Sequence, residues 1–196
     1  MNQELKKDDS HSRHWTLKLE RGSSIFNSGS DIGQTLRKLN EAPGQTHADT
    51  IYEFIDFQKL LSKVVKQAHV LAYDQLEVAV SIEQPYAFYG DLNNIERALL
   101  HLIFGAINSL DPGKNECIVD IDIDVGREET MIEIVDNGKG NIPNYPFVKS
   151  DKGSSLYLEP VISCIKLFSG QLNIRSSPGV GSHIVLRIPS NQEKQI

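Results

Sequence analysis

The spacing of apolar residues becomes regular at about residue 51. Beyond that point, apolar residues recur either every third or fourth position, as in a helix, or every second position, as in a strand. These two patterns follow one another along the chain and predict helix, strand, helix, strand, strand, helix, strand, strand. This order is typical of an α/β (α+β) fold, a two-layer sandwich with a mixed or antiparallel sheet and its helices on one face.

The three predicted helices have start or stop signals in the sequence. Asp56 and Asp91 can each cap a helix, because a carboxylate accepts hydrogen bonds from the free N–H groups of the first turn. The turn at residues 111–113 ends the second helix, and Gly170 ends the third. The predicted buried positions are Leu60, Leu61, Val64, Val65, Ala68 and Leu71 in the first helix, Ile95, Ala98, Leu99, Leu102, Ala106 and Leu110 in the second, and Leu158, Val161, Ile162, Ile165 and Phe168 in the third.

The strand from residue 119 to residue 125 alternates apolar residues with three aspartates. Three neighbouring carboxylates suggest a metal site. Strict alternation, however, is what a sheet requires when one of its faces meets solvent. We therefore interpret Asp120, Asp122 and Asp124 as surface residues. The other predicted strands span residues 76–82, 131–135, 171–176 and 183–188.

Residues 1–50 are rich in Ser, Gly, Asn, Asp and Lys, and glycines and prolines interrupt them repeatedly. We predict a flexible N-terminal tail with at most a short helix, where Ile32, Leu36 and Leu39 have helical spacing. Residues 51–190 are predicted to form the folded domain, and residues 191–196 a polar C-terminal tail.

Composition excludes several classes of function. The net charge of −6 disfavours nonspecific nucleic-acid binding, which depends on Lys and Arg neutralising phosphates. Cys117 and Cys164 lack the spacing of a zinc site, and we expect both to be small core residues. No apolar run reaches the roughly 20 residues that a transmembrane helix needs, and the polar N-terminus does not match a signal peptide. We expect a cytoplasmic protein with no membrane partner.

The segment IVDNGKG, residues 134–140, carries candidate binding chemistry. An aspartate at a strand end can accept a hydrogen bond from an exocyclic amine such as adenine N6. Glycines next to it let a ring approach the backbone closely. Asp-Asn-Gly is also an ordinary turn sequence, so the motif alone does not separate the two interpretations.

Residues 54–189 resemble the ATP-binding domain of histidine kinases, in the GHKL superfamily that also holds gyrase, MutL and the Hsp90 chaperones. The resemblance lies in IDFQKLLSKVVKQA, YGDLNNIERALLHLI, DNGKG and KGSSLYLEPVISCIKLFSGQLNIRSSPGVGSHIVLRIP, in the order of that family. It implies a Bergerat-type ATPase fold. It also implies that Asp136 binds adenine, and that the neighbouring cofactor-binding residues are Asn137, Gly138, Gly140, Gly179 and Gly181.

The sequence departs from this family where metal and phosphate would bind. The second helix of the family carries two asparagines four residues apart, and the later one helps to hold Mg²⁺. Here the matching residues are His101 and Gly105. Glycine has no ligand atom, and Mg²⁺ prefers oxygen ligands to imidazole. Asn108, about one turn further along, is the remaining candidate on this helix. We predict no metal ligands and no catalytic residues.

The second glycine box of the family, GxGLGL, reads GSSLYL at residues 153–158. Gly153 is retained and Ser154 can contact an anion or cap a helix, whereas Tyr157 would crowd a phosphate. Residues 141–152 are shorter than the lid that active kinases close over the nucleotide. The phosphoacceptor hairpin of histidine kinases has no counterpart, since the histidines at positions 11, 14 and 47 lie in the predicted tail.

The resemblance and its departures together predict a pseudokinase. We expect a degenerate histidine-kinase-like ATPase domain that acts in bacterial two-component signalling through protein contacts, with weak or no binding of ATP or ADP. The predicted partner is the receiver domain of a response regulator or a sensor kinase, and a homodimer stays open. The alternative is an active ATP-dependent protein kinase acting in trans, similar to anti-sigma-factor kinases. A third alternative is a fragment of a larger sensor, although Met1 and the polar C-terminus favour a complete small protein.

Overall fold

The computed structural model describes residues 12–20, 52–69, 75–111, 113–114, 116–140 and 159–190. Within these ranges the chain forms eight strands and three helices. In chain order they are β1 (Ser12–Glu20), β2 (Tyr52–Phe54), α1 (Phe57–His69), β3 (Gln75–Glu83), β4 (Tyr89–Asp91), α2 (Leu92–Ser109), β5 (Cys117–Val125), β6 (Glu129–Asp136), α3 (Glu159–Phe168), β7 (Gln171–Ser177) and β8 (Gly181–Pro189).

The described strands form one large sheet and one small sheet. The large sheet has the order β1-β3-β5-β6-β8-β7, and the small sheet pairs β2 with β4. β3 and β5 run parallel, while the remaining neighbours in the large sheet are antiparallel. The sheet is therefore mixed, as predicted, and α2 lies in the connection between the two parallel strands.

One face of the large sheet carries the core. On β5, the residues from Cys117 to Val125 alternate between buried apolar side chains and the exposed Asp120, Asp122 and Asp124. The buried set continues across the cross-strand partners on β3, β6 and β8 and meets the apolar faces of the helices. The prediction that the three aspartates are surface residues is confirmed. Cys117 and Cys164 are both buried, as expected for small core residues.

The predicted helix caps are present. Asp56 Oδ1 accepts from Lys59 N (3.1 Å) at the start of α1, and Asp91 Oδ1 accepts from Asn94 N (3.0 Å) at the start of α2. At the end of α3, Gly170 N donates to Ile165 O (2.8 Å). The residue with left-handed backbone there is Ser169 (φ 53°) and not the glycine. A Cβ on Gly170 would lie 2.5 Å from Arg187 O, so this glycine allows the close approach of β8.

The prediction of a tail is wrong for Ser12–Glu20, which forms the edge strand β1 and pairs antiparallel with β3 from Ser12↔Glu83 to Glu20↔Gln75. Trp15, Leu17 and Leu19 have the two-residue period of a strand. The glycines and the proline that follow them are typical of a tail and obscure this pattern. The short strands β2 and β4 were also missed, because three residues are too few to show a period. Three predicted segments lie outside the described residues: the short helix at residues 32–39, the end of the first helix at residues 70–74, and the tail at residues 191–196.

Candidate functional site at the end of β6

Asp136 lies at the last position of β6 and is only 4% exposed. Its cross-strand partners are Val119 and Ser182, so its side chain is on the face of the sheet that carries the helices. Its Oδ1 atom accepts from Ser109 Oγ (2.6 Å) and from Gly138 N (2.9 Å). Among the described residues, none hydrogen-bonds to Oδ2. Within the described part of the chain, the carboxylate is therefore anchored through Oδ1 alone.

Ser109 connects this carboxylate to α2. It is the last residue of the helix, and its Oγ also lies 2.8 Å from Ala106 O. Its own carbonyl accepts from Lys139 N (2.6 Å), which draws the loop after β6 against the helix end. Ser109 was not predicted from the sequence. The available signal was a hydroxyl at the last position of the helix.

Asn137 was predicted to bind the cofactor, but the structure gives its side chain a different role. Its Oδ1 accepts from Ile118 N (3.0 Å) and its Nδ2 donates to Glu116 O (3.0 Å). Its backbone N donates to Ile118 O (3.3 Å). The side chain thus prolongs the pairing of β6 with β5 by one residue and is directed at that strand.

The glycines around Asp136 are required by contacts within the protein itself. Gly140 has φ +56°, and a Cβ there would lie 1.8 Å from Ser177 O. Gly181 has φ +131°, and its Cβ would lie 1.9 Å from Asp136 O. At these two positions the close approach is made by neighbouring protein backbone. That the glycines of residues 134–140 let a ring approach the backbone stays a prediction. A Cβ on Gly138 would likewise collide with Ser109, whereas Gly179 (φ +77°) has open space around it.

Lys114 is a second residue that sequence analysis missed. Its Nζ lies within hydrogen-bond distance of Asn137 O, of Gly138 O (3.3 Å) and of Gly179 O (3.3 Å). The first two carbonyls belong to the loop after β6, and the third to the turn between β7 and β8. One ammonium group therefore joins the two loops that surround Asp136.

The face of α2 that would meet phosphate and metal carries few polar groups. His101 is 5% exposed and lies in the core side of the helix. Gly105 is exposed, with no heavy atom within 4 Å of the position of a Cβ. In the described part of the chain, no group of His, Cys, Asp and Glu side chains is arranged to hold a metal ion. The structure does not describe the side chain of Asn108, nor Gly153, Ser154 or residues 141–152.

A depression of about 370 Å³ opens mainly on the face of the sheet away from the helices. Burial, and then the charge of Glu77, raise the pKa of Asp120, a carboxyl group at its edge. No described residue of α2 lines it, whereas Asp136 and Gly181 of the candidate site do. Its lining residues are Ile118, Asp120, Val135, Asp136, Asn137, Arg175, Ser176, Ser177, Val180, Gly181, Ser182 and His183.

Comparison with known proteins relates this architecture to sensor proteins. No family model matches the sequence. Over 113 residues, the chain is 25% identical to the sensor protein DegM of Bacillus sp. (strain B21-2), covering 54% of this chain and 30% of DegM. The chain therefore spans about three tenths of the length of that relative. Among the helices that the structure describes, none has the length and apolarity needed to cross a membrane.

Histidine kinases are among the solved structures that have a similar fold. Histidine kinase AdeS of Acinetobacter baumannii superposes with a TM-score of 0.59 at 22% identity, covering 83% of this chain and 77% of AdeS. The mycobacterial sensor histidine kinase MprB superposes with a TM-score of 0.58 at 22% identity, covering 71% of this chain and 97% of MprB. The chain has the fold of a histidine-kinase-type ATPase domain.

Proposed function

We propose that this histidine-kinase-like domain is a cytoplasmic pseudokinase that acts in two-component signalling through protein contacts, with weak or no binding of ATP. The name of the curated relative, a sensor protein, and the sensor kinases that share its fold support a role in such signalling. We propose the receiver domain of a response regulator or a sensor kinase as the partner.

The observation that carries this proposal is the contrast between Asp136 and Gly105. At Asp136, a buried carboxylate is oriented by two donors and keeps one oxygen available to accept from an exocyclic amine. The residues at this end therefore fit an adenine base. At Gly105, by contrast, α2 has no side chain that could bind a metal or a phosphate.

The two residues of α2 at the positions of the family's asparagines, His101 and Gly105, do not fit Mg²⁺. This ion requires near-octahedral oxygen ligands, and neither the buried imidazole of His101 nor Gly105 supplies one. Phosphoryl transfer depends almost entirely on positioned metal ions and donors. Base recognition without metal ligation supports weak nucleotide binding and argues against efficient phosphoryl transfer.

The first test is a calorimetric titration of ATP and ADP, with and without Mg²⁺, into the wild-type protein and Asp136→Asn. Because Ser109 and Gly138 donate to Oδ1, an asparagine would place its oxygen there and its NH₂ group at Oδ2. Two donors would then face each other at the adenine amine. We expect dissociation constants near the millimolar range that respond little to Mg²⁺, and loss of binding in Asp136→Asn.

The matched control is Asp120→Asn, which removes a carboxylate from the open face of the neighbouring strand and should leave binding unchanged. Micromolar binding that needs Mg²⁺ would overturn the pseudokinase proposal. Equal binding by the wild type and Asp136→Asn would exclude Asp136 as the base contact. For the partner, affinity capture from the native host that recovers neither a receiver nor a kinase protein would count against signalling by contact.

The second candidate function is an active kinase that phosphorylates a partner in trans. The oriented Asp136 carboxylate supports it, since an unused nucleotide site has no need of that acceptor. The discriminating assay incubates the protein with Mg²⁺, γ-labelled ATP and the captured partner. Phosphate transfer that Asp136→Asn abolishes would favour this candidate over the pseudokinase.

A further inference from the structure

We propose that Lys114 is a positioning residue of the base site. Its ammonium group holds the loop after β6 and the turn between β7 and β8 in the geometry that leaves Asp136 Oδ2 open. This inference rests on the proposed role of Asp136 as the base contact. It adds a residue outside the motif that carries the resemblance.

The sequence presents Lys114 at this point through the turn that follows α2. Gly113 N donates to Asp111 Oδ1 (3.0 Å), and Lys114 N donates to Asp111 O (3.0 Å). Such a turn, closed by an aspartate side chain and a backbone hydrogen bond, fixes the direction in which the next side chain leaves the backbone. Lys114 is therefore directed toward the loop by local structure.

The number of donors matches the number of acceptors. An ammonium group has three N–H donors and no acceptor, and three carbonyl oxygens converge on Lys114 Nζ. Hydrogen bonds from an ionised donor are roughly twice as strong as neutral ones. Without the cation, three carbonyl dipoles would point their negative ends at one place and repel one another.

The network continues from these carbonyls to Asp136. Gly138, whose carbonyl Lys114 holds, donates its N–H to Asp136 Oδ1. Lys139 N donates to Ser109 O (2.6 Å), and Gly179 N donates to Lys139 O (2.7 Å). If the loop moves away from Lys114, Oδ1 loses one of its two anchors and the carboxylate can turn. Lys114 thus acts on the base contact through Gly138 without touching the base.

The test compares Lys114→Met, which keeps the length of the side chain without its donors, with Lys114→Arg, which keeps charge and donors. Lys166→Met is the matched control. It removes the same charge from an exposed position on α3, outside the loop network around Asp136. Amide hydrogen exchange by NMR reports on the loop without ligand, and titration with ADP and with adenosine reports on the site.

In Lys114→Met we expect the amides of residues 138, 139 and 179 to exchange about tenfold faster or more, because hydrogen bonds to a charged donor are lost. The core amides of β5 should exchange as in the wild type. Binding of both ligands should weaken at least as much, and Lys114→Arg should restore most of both effects. Lys166→Met should leave the three exchange rates and the binding of both ligands unchanged.

Unchanged exchange at these three amides in Lys114→Met would overturn the positioning role. Faster exchange with unchanged ADP and adenosine binding would overturn its link to the base site. Should Lys114→Met unfold, Lys114→Gln, which keeps two donors without the charge, gives the same comparison. If the wild type binds neither ligand, the proposed base site fails, while the exchange rates still decide whether Lys114 holds the loop.

Discussion

Replacing Gly105 by alanine should stabilise this protein. Gly105 lies inside α2, four residues before its end at Ser109. Glycine costs a helix interior backbone entropy, and alanine is preferred there by about 1 kcal/mol. Either Gly105 permits a packing contact that offsets this entropy cost, or the cost is not offset.

The structure supports the second case. Gly105 is exposed, and no heavy atom of the described residues lies within 4 Å of the position that a Cβ would take. A methyl group there meets no steric resistance and gains no buried contact. The whole effect is then the helix propensity, about 1 kcal/mol of added stability. In a domain of 150–250 residues this corresponds to a rise in melting temperature of about 2–4 °C.

Thermal and urea unfolding of the wild type and Gly105→Ala, followed by circular dichroism, measure this difference. The contrasting control is Gly140→Ala, where φ is +56° and a Cβ would lie 1.8 Å from Ser177 O, so that variant should be clearly destabilised. A Gly105→Ala protein that is less stable than the wild type would refute the reasoning. It would mean that the space over this turn of α2 is filled and that the glycine is there to admit another group.

Two further predictions concern stability away from the site. Ser169→Gly should stabilise the protein by up to about 1 kcal/mol, because Ser169 has φ 53° after α3 and a left-handed conformation is costly for residues other than glycine; urea unfolding against Ser169→Ala, which should not stabilise it, is the check. Asp120→Asn should become more stable relative to the wild type as pH rises from below 4 to neutral. The raised pKa of Asp120 means that the native state holds the proton of this carboxyl more tightly than the unfolded chain does. The stabilisation that this proton gives the native state is complete below the ordinary pKa of 3.8 and is lost as pH rises through the folded pKa. A stability difference that does not vary with pH would contradict the assigned shift.

Much of the fold could be predicted because its long elements each bury one face. The helix faces from Leu60 to Val65 and from Ile95 to Leu110, and the alternation on β5, all appear directly as spacing in the sequence. β1 was not predicted because the alternation of Trp15, Leu17 and Leu19 lies within a segment whose polar and glycine-rich composition is typical of a tail. Pairing with β3, which decides that this segment is a strand, involves residues about 60 positions away and leaves no local signal.

The candidate site was predictable in its named residue and not in its support. Asp136 was identified from the motif and lies at a strand end, as expected. One of its two contacts comes from Ser109, and Lys114 binds the carbonyl of Gly138, the residue that makes the other contact. Ser109 and Lys114 are 27 and 22 positions away in the chain and belong to no motif. The glycines could be identified as necessary, but which atoms approach them depends on the tertiary structure. A resemblance in sequence therefore locates the acceptor, and only the structure shows what holds it in place.

The position of β1 also bears on how this protein can be shortened. A boundary drawn at residue 51, where the regular pattern begins, would keep every motif and remove the strand that covers one edge of β3. The fragment would then present a nine-residue strand, Gln75–Glu83, with unpaired N–H and C=O groups that could recruit strands from other molecules. Insolubility of such a fragment would reflect the loss of its neighbour in the sheet rather than an unstable core. Working versions of this domain should begin before residue 12.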